Sequence, residues 1–376
     1  MLCCARTKIN DEIEKKIISL ASMDLDWEYL INMASRHRLK PLLYVNLNSI
    51  CPEYVPEDVL GNLKRYYMAN VQKNLMLTGE LVKVIEILEL NNIKAIPYKG
   101  PVLASLAYNN IGIRIINDLD LYINESNIFN AIRILTLEGY QPYFNLNNIS
   151  ESNFLKTQRE YLFKSPEGFI LEFHWNIQGP HVYLPIEPKC IYEDLEIIKI
   201  NNFKIFSFSP ENLIIILSLH SAKHNWNYLS LLCDISEIIS SQDIKWNEVF
   251  KTADKLYVRR ILAINILLIH DLFDLEIHEN ILINLYSDAY TLKIVKNIKK
   301  LLLSEENQLK IFEKIIIDLK KREKLKHGLV DCLYDLTKPS YADFKDIKLP
   351  KRLFLLYYII RPFLLIKRFS SGIVNH

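Results

Sequence analysis

The stretch that decides the fold is residues 98–123, YKGPVLASLAYNNIGIRIINDLDLYI. It predicts the end of a strand, a glycine turn, a short helix, a loop with an arginine, and a second strand that carries two aspartates. Successive side chains of a strand point to opposite faces of a sheet. We therefore expect Asp118 and Asp120 to lie together on one face, and Leu119, Leu121 and Ile123 to lie on the opposite, buried face.

Two carboxylates held side by side repel each other unless a cation lies between them. Mg²⁺ prefers oxygen ligands and is the usual cation where phosphates are bound. Asp118 and Asp120 are therefore a candidate metal-binding pair. A surface strand with two solvated acids is the alternative that this motif alone leaves open.

The residues around the first turn add positive charge. Lys99 and Gly100 precede Pro101, a residue that suits the first position of a helix. A glycine turn that opens a helix presents backbone N–H groups to an anion, and a lysine beside it suits a phosphate. An ordinary turn glycine is the alternative. Arg114 lies four residues before Asp118, close enough to reach a phosphate or to form a structural pair with an acid.

A third candidate element is residues 171–175, LEFHW. Strand alternation places Glu172 and His174 on one face and the three apolar side chains on the other. Glu172 would complete a cluster of three carboxylates around a metal, or accept the proton of a substrate hydroxyl. For His174 the sequence leaves two roles open, a direct one in the site and that of a hydrogen-bonded structural histidine.

A predicted helix after the core carries His220 and His224, which are four residues apart and so share a face. Contact with a bound ligand is one role for these histidines, and packing against the sheet is the alternative. The glutamate of an H-E-x-x-H motif and a third zinc ligand are missing from this segment, which argues against a metalloprotease.

Composition limits the classes of protein. The chain has 376 residues, half of them apolar, with 46 basic and 44 acidic side chains. This length predicts two or three domains, and the balanced charge argues against long nucleic acid as a partner. Six scattered cysteines without a C-x-x-C motif predict reduced thiols and a cytoplasmic location. The N-terminus lacks the apolar core of a signal peptide.

Periodicity predicts three regions: an N-terminal helical region over 1–75, an α/β core over 76–205 and a C-terminal helical domain over 206–376. In the first region, helices are predicted at 13–21, 27–34 and 59–70, with breaks at Pro41, Pro52 and Pro56. A longer helix is predicted over 71–90, followed by a strand over 94–98.

The middle region predicts a helix over 126–138 and strands over 119–123, 158–164 and 169–175. The turn residues at 165–168 predict a hairpin between the last two strands. From Pro210 onward the pattern is almost wholly helical.

Near the C-terminus, residues 353–366, LFLLYYIIRPFLLI, are apolar and are flanked by basic side chains. The run is shorter than the roughly 20 residues that span a bilayer. Peripheral membrane contact through an interfacial helix is one interpretation, and a helix packed on the body of the protein is the other.

Five motifs together resemble the uncharacterised nucleotidyltransferase family of the polymerase β-like nucleotidyltransferase superfamily. They are KGPVLASLAY at 99–108, IGIR at 111–114, NDLDLYI at 117–123, LEFHWNI at 171–177 and LSLHSAKHNWNYLSLLCDI at 217–235. The resemblance implies an α+β fold, in which helices pack on a small mixed β-sheet and helical regions flank this core. It also implies binding of a nucleoside triphosphate and of Mg²⁺ or Mn²⁺.

The resemblance also assigns roles. Asp118 and Asp120 match the metal-binding pair, Glu172 matches the third acid and Gly100 matches the turn glycine that touches phosphate. The glycine-serine turn of the wider superfamily is replaced here by Lys99 and Gly100, which removes the serine hydroxyl that commonly contacts phosphate.

The sequence therefore predicts a metal-dependent nucleotidyltransferase. It would move a nucleoside monophosphate from an NTP to a hydroxyl of a small molecule, peptide or protein and release pyrophosphate, while Lys99 and Arg114 offset the charge of the phosphates. His220 or His224 would contact the nucleotide, its phosphates or the acceptor. A non-catalytic nucleotide-binding or substrate-docking protein with the same fold is the alternative.

Overall fold

The N-terminal part of the chain is helical, as predicted. The computed structural model of the protein describes residues 1–144, 149–177, 184, 189–200, 202–285, 288–304 and 311–370. The first four helices are α1 (Asp11–Ala21), α2 (Trp27–Arg36), α3 (Lys40–Ile50) and α4 (Glu57–Leu90). The side chains of Asn10 and Asp26 cap α1 and α2, because each accepts a hydrogen bond from a backbone N–H of the first turn.

Two expectations about this part are wrong. No helix was expected over 40–50, where α3 lies; Pro41 follows the break after α2 and is in the first turn of α3, where a backbone N–H has no helical partner to lose. The helices expected at 59–70 and 71–90 are one continuous helix, α4. Because α4 crosses residues 75 and 76, it joins the first two predicted regions, and the division into three regions stays a prediction.

The middle of the chain forms a mixed five-stranded sheet. Its elements are β1 (Ala95–Pro97), α5 (Pro101–Leu106), β2 (Asp118–Ile123), α6 (Ile128–Leu137), β3 (Gln141–Pro142), α7 (Glu151–Thr157), β4 (Glu160–Lys164) and β5 (Ile170–His174). The strand order is β1-β2-β5-β4-β3, in which β2 and β5 are parallel and the other pairs antiparallel. The predicted hairpin is confirmed, since β4 and β5 are antiparallel neighbours joined by the turn at 165–168.

A second hairpin was not predicted. It follows α8 (Lys189–Glu193) and consists of β6 (Leu195–Ile200) and β7 (Phe203–Phe208), which pair antiparallel. The sequence of β6, LEIIKI, interrupts the alternation of polar and apolar residues that marks a half-buried strand, so the usual signal is weak.

Helices follow to the end of the described chain, as predicted from Pro210 onward. They are α9 (Pro210–Lys223), α10 (Leu229–Ser241), α11 (Trp246–Lys255), α12 (Arg259–Phe273), α13 (Glu279–Leu285), α14 (Ala289–Leu303), α15 (Ile311–Lys320), α16 (Leu325–Thr337), α17 (Tyr341–Asp346) and α18 (Leu356–Ser370). The fold class is therefore α+β, with helices on both faces of a small mixed sheet.

The apolar run at 353–366 falls largely within α18, which contains Pro362. Within the described ranges, every helix is too short or too polar to cross a membrane. Peripheral contact through α18 stays a prediction.

The two faces of the central strands separate core from site, as the alternation predicts. Leu119, Leu121 and Ile123 of β2 are buried in the same core as Leu171 and Phe173 of β5. Helix α4 supplies the other side of this core, through Leu77, Leu81, Val84, Ile85 and Leu88. The aspartates of β2 are thereby directed to the opposite face, which is covered by α9 and its neighbours.

The loop between α5 and β2 is held to α4 by two buried asparagines. Asn70 Nδ2 donates hydrogen bonds to the carbonyl oxygens of Gly112 (2.8 Å) and Arg114 (2.9 Å). Asn74 Nδ2 donates to those of Ile111 (2.6 Å) and Arg114 (2.8 Å). Buried backbone carbonyls need such partners, so α4 fixes the loop that leads into the aspartate strand.

Gly112→Ala should destabilise the protein, because a Cβ there would lie 2.5 Å from Val71 Cγ2 and 2.7 Å from the Tyr67 ring. We expect a loss of about 1–3 kcal/mol in the free energy of unfolding, measured by urea denaturation. Gly61→Ala is the matched control, since its Cβ meets nothing within 4 Å and alanine is the better helix former by roughly 0.5–1 kcal/mol. Equal unfolding midpoints for Gly112→Ala and the wild type would contradict the tight packing.

His37 connects three helices. This buried residue follows α2; its Nε2–H donates to the Leu302 carbonyl of α14 (3.0 Å), and its Nδ1 accepts the backbone N–H of Leu229 at the start of α10 (3.3 Å). A proton on Nδ1 would face that N–H donor. Burial and the neighbouring Arg36 lower the pKa of His37 from 6.5 to about 4.

The stability contributed by neutral His37 should therefore be present above pH 6.5 and be lost as the pH falls toward 4. In that window the unfolded chain binds the proton and the folded chain does not. The resulting loss in the free energy of unfolding is about 3 kcal/mol at pH 4. His37→Gln keeps a donor and an acceptor but does not titrate. The difference in unfolding free energy between the wild type and His37→Gln should change across pH 4–7 in urea titrations, and a constant difference would refute this role.

Candidate functional site

The site is built on two neighbouring parallel strands. In the register of β2 and β5, Asp118 is opposite Ile170, Asp120 opposite Glu172, and Tyr122 opposite His174. Registered partners on neighbouring strands lie on the same face of the sheet. The acids that the sequence placed on one face of each strand are thus brought side by side.

Asp120, Glu172 and His174 form the tightest group of possible metal ligands among the described residues. One oxygen or nitrogen of each lies within 4.8 Å of the others. His174 Nε2 is 3.0 Å from Asp120 Oδ1 and 3.4 Å from Glu172 Oε2. Two carboxylates and an imidazole are donors that suit a divalent cation. His174, for which the sequence left a structural role open, is thus in direct contact with both acids.

Asp118 shares their face but stands outside that tight group in the described part of the chain. Burial and the nearby carboxylates of Asp120 and Glu172 raise the pKa of Asp118 to about 6. An acid in this position gains from a cation, because a cation offsets the repulsion that raises its pKa.

Lys99 is the cation nearest to the acids. Its Nζ lies 2.8 Å from Asp120 Oδ1, and both residues are buried, with 8% and 3% of their surface exposed. Burial alone would raise the pKa of Asp120, but Lys99 and the hydrogen bond from His174 hold it well below its usual range. Burial alone would lower the pKa of His174, but the hydrogen bonds to Asp120 and Glu172 raise it to about 9.

The predicted glycine turn is confirmed. Gly100 precedes α5 with φ +56° and ψ −127°, a conformation that favours glycine. A Cβ at this position would lie 3.4 Å from the carbonyl oxygen of Asp118. The turn therefore lets the chain after β1 pass close to β2 and positions Lys99 over the acids.

Arg114 is held by an acid from another helix. Its guanidinium donates to both carboxylate oxygens of Asp234 on α10, at 3.0–3.2 Å, and the Tyr108 hydroxyl donates a hydrogen bond to the same carboxylate (2.8 Å). This is the structural pair that the sequence left open as an alternative, although its partner lies 120 residues away. Burial opposes the charged form, but Asp234 raises the pKa of Arg114, which stays protonated.

His220 and His224 meet as predicted, with ring centroids 4.6 Å apart. His220 lies in the last turn of α9 and His224 directly follows that helix. Burial and the charge of Lys99 lower the pKa of His220 well below its usual value, so its imidazole is neutral. A neutral ring next to these acids offers one donor and one acceptor rather than a charge.

Two residues of the site were not singled out from the sequence. Glu160 on β4 is the registered partner of His174, and its Oε2 lies 3.8 Å from His174 Nδ1 and 3.6 Å from Lys223 Nζ. Lys223 lies three residues after His220, so the shared helix face was a usable signal. For Glu160 the signal was its place in the predicted strand at 158–164, which becomes informative only once the pairing with β5 is known.

These side chains line one open space, which we call the acidic cleft. Its empty volume is ≈ 1030 Å³, part of it open to solvent. Asp118, Asp120 and Glu172 line it together with Lys99, Arg114, Glu160, His220, Lys223, His224 and Asp234. The space is large enough for a nucleotide-sized ligand.

A family model described as "Uncharacterised nucleotidyltransferase" matches residues 23–274, about two thirds of the chain. The matched part contains every residue of the acidic cleft named above. No curated protein matches the chain. The resemblance carried by the sequence motifs is confirmed, and the chain belongs to the uncharacterised nucleotidyltransferase family.

Proposed function

We propose that this protein is a metal-dependent nucleotidyltransferase. It transfers a nucleoside monophosphate from an NTP to a hydroxyl of a small molecule, a peptide or a protein and releases pyrophosphate. The observation that carries the proposal is the tight group of Asp120, Glu172 and His174, whose two carboxylates line the acidic cleft. Membership of the family supports the reaction type.

In this proposal Asp118, Asp120 and Glu172 hold Mg²⁺ or Mn²⁺, and His174 either joins them or fixes the orientation of Asp120. The oxygen donors fit Mg²⁺, and a set that includes the imidazole fits Mn²⁺ better. A divalent cation bound there would neutralise the triphosphate and lower the pKa of the acceptor hydroxyl.

The other residues of the acidic cleft position the phosphates of the NTP and neutralise their charge. Lys99 and Lys223 place positive charge beside the phosphates of a bound NTP, and His220 and His224 offer hydrogen bonds to it. Gly100 lets the backbone approach a phosphate. Lys99 and Lys223 each contact one carboxylate oxygen and keep other N–H groups for a phosphate. Arg114 is instead bound by both oxygens of Asp234, so we assign it to holding the cleft wall together rather than to offsetting phosphate charge.

The transfer needs little from the protein beyond position and charge. The acceptor oxygen forms a bond to the α-phosphorus, and the bond from that phosphorus to pyrophosphate breaks. The hydroxyl proton passes to Glu172, which is partly exposed in the cleft. Balanced charge supports a small acceptor rather than a long nucleic acid. Free thiols among the described cysteines are typical of a reducing compartment, so we place the protein in the cytoplasm.

Asp118→Asn and Asp120→Asn should both reduce pyrophosphate release by about 10²-fold or more, because each removes a carboxylate that would hold the divalent cation. Their stabilities should differ. Asp118→Asn relieves repulsion and should melt at or above the wild-type temperature. Asp120→Asn leaves Lys99 and His174 without their carboxylate and should lose about 3 kcal/mol or more. Turnover and urea unfolding of both variants measure this contrast.

Near-native turnover in Asp118→Asn would refute the metal role of the aspartates. Binding of NTP without pyrophosphate release, with every acceptor tested, would favour the non-catalytic nucleotide-binding or docking protein. In that case neither substitution would have an activity to remove, and only their effects on NTP affinity would remain.

Stabilisation by NTP should require a divalent cation. At a free NTP concentration of 100 times the dissociation constant, the gain in unfolding free energy is about 2.7 kcal/mol. We expect melting temperatures to rise with NTP plus Mg²⁺ or Mn²⁺ and to rise far less with NTP plus EDTA. Asp118→Asn, which keeps the fold, should show little of the cation-dependent part. An equal rise with and without the cation would exclude metal-mediated binding of the triphosphate.

A further inference from the structure

A second cavity adjoins the acidic cleft. Its empty volume is ≈ 840 Å³, part of it open to solvent. Lys99, Glu160, His220 and Lys223 line both spaces and form their common wall. His174 lines the second cavity, whereas the three acids line the acidic cleft. A molecule in the second cavity would therefore border the metal group without occupying it.

The outer wall of the second cavity comes from the C-terminal helices. Tyr334 of α16, Lys338 just after α16 and Arg361 of α18 line the cavity. Hydrogen bonds hold this wall to the chain before β4: Gln158 Nε2 donates to the Pro339 carbonyl (3.1 Å), and Arg159 Nε donates to the Tyr334 hydroxyl (3.2 Å). All of the outer wall lies beyond residue 274, outside the part that matches the family.

Lys338 is the unusual residue in this wall. Nine-tenths of its surface is buried, and its Nζ lies 4.2 Å from the centroid of the Tyr334 ring. Over the described ranges, Lys338 Nζ has no carboxylate within ion-pair distance. Burial and the charge of Arg159 lower its pKa to about 6. A buried amine without a counter-ion destabilises the fold, and such perturbed groups in cavities are candidates for ligand binding.

The charge of the second cavity favours an anion. Its other lysines are paired with carboxylates, since Lys99 contacts Asp120 and Lys223 contacts Glu160. Arg361 is also paired, since its Nη1 lies 2.5 Å from Asp343 Oδ2. Lys338 has no such carboxylate contact among the described residues. Arg159 lies beside it over the same Tyr334 ring, with its Cζ 5.1 Å from the ring centroid. The carboxylates that line the cavity are Glu160, which contacts Lys223, and Asp335. Ile177, Ile216 and Leu219 add apolar surface.

We propose that the second cavity binds the acceptor, a molecule with an apolar body, a hydroxyl and a carboxylate or phosphate group. Lys338 and Arg159 bind the anionic group, and the hydroxyl is directed to the common wall beside His174. That this ligand is the acceptor rests on the proposed function, whereas the presence of an anion site does not depend on it. The bonds made and broken are those of the nucleotidyl transfer described above, with pyrophosphate as the leaving group.

Calorimetry in the absence of nucleotide tests the anion site with three probes of similar shape. They are 4-hydroxyphenylacetate, 4-hydroxyphenyl phosphate and the neutral 4-hydroxyphenylacetamide. We expect one-to-one binding of at least one anion, and binding of the amide that is weaker by about tenfold or more, as for loss of a charge-assisted contact. The stronger of the two anions distinguishes a carboxylate from a phosphate ligand.

Lys338→Met is the informative variant and Lys338→Arg its matched control. Lys338→Met should weaken anion binding by about tenfold or more yet melt at or above the wild-type temperature, because it removes a buried polar amine that has no carboxylate partner. Lys338→Arg should retain binding. If Lys338→Met does not fold, Arg159→Met takes its place in the comparison. Equal binding of the amide and both anions, or unchanged anion binding in the folded variant, would overturn the anion site.

Mass spectrometry after addition of NTP and Mg²⁺ or Mn²⁺ separates this proposal from the proposed function. A nucleotidylated probe, absent with Asp118→Asn, supports both. Anion binding that depends on Lys338, without a nucleotidylated product but with pyrophosphate release on another acceptor, overturns the acceptor role and leaves the transferase. Anion binding without pyrophosphate release on any acceptor contradicts the proposed function while the anion site stands.

Discussion

The repulsion between Asp120 and Glu172 is the constraint on which the site depends. Parallel pairing of β2 and β5 makes these residues registered neighbours on one face of the sheet, and two adjacent carboxylates cannot both stay ionised without cations nearby. Lys99 and protonated His174 supply that charge. The Gly100 turn brings Lys99 over the acids and therefore also helps to offset their repulsion. These cations offset part of the repulsion and keep the carboxylates close together, where the proposed metal would bind.

Rigid support from the opposite face makes this arrangement possible. The apolar side chains of β2 and β5 pack against α4, so the acidic face cannot rotate away without exposing that core. The same helix binds the loop before β2 through Asn70 and Asn74. That loop carries Arg114, which in turn holds Asp234 of α10 against the cleft. One helix thus orients both the strand that bears the aspartates and the wall opposite to them.

Local patterns explain what the sequence predicts well. Alternation in residues 117–123 and 171–175 gave the correct faces for Asp118, Asp120, Glu172 and His174, because strand side-chain direction depends only on neighbouring residues. Pairing is a long-range property, so the contacts between Lys99 and Asp120 and between Arg114 and Asp234 followed from no local signal. Glu160 was missed for that reason. Helix α3 was missed because Pro41 was taken only as a break, although proline also suits the first turn of a helix.

The C-terminal helices add residues to the site that lie outside the part of the chain matching the family. The acids and their supporting cations all lie within the part that matches the family, and in our proposal they hold the triphosphate and the metal. Lys338 lies beyond that part, and keeping an amine buried without a counter-ion lowers the stability of the free protein. Functional sites often retain such costs, because the residue that destabilises the free protein stabilises a bound ligand. We therefore expect residues 99–234 to determine the reaction and the helices around Lys338 to determine which molecule receives the nucleotide.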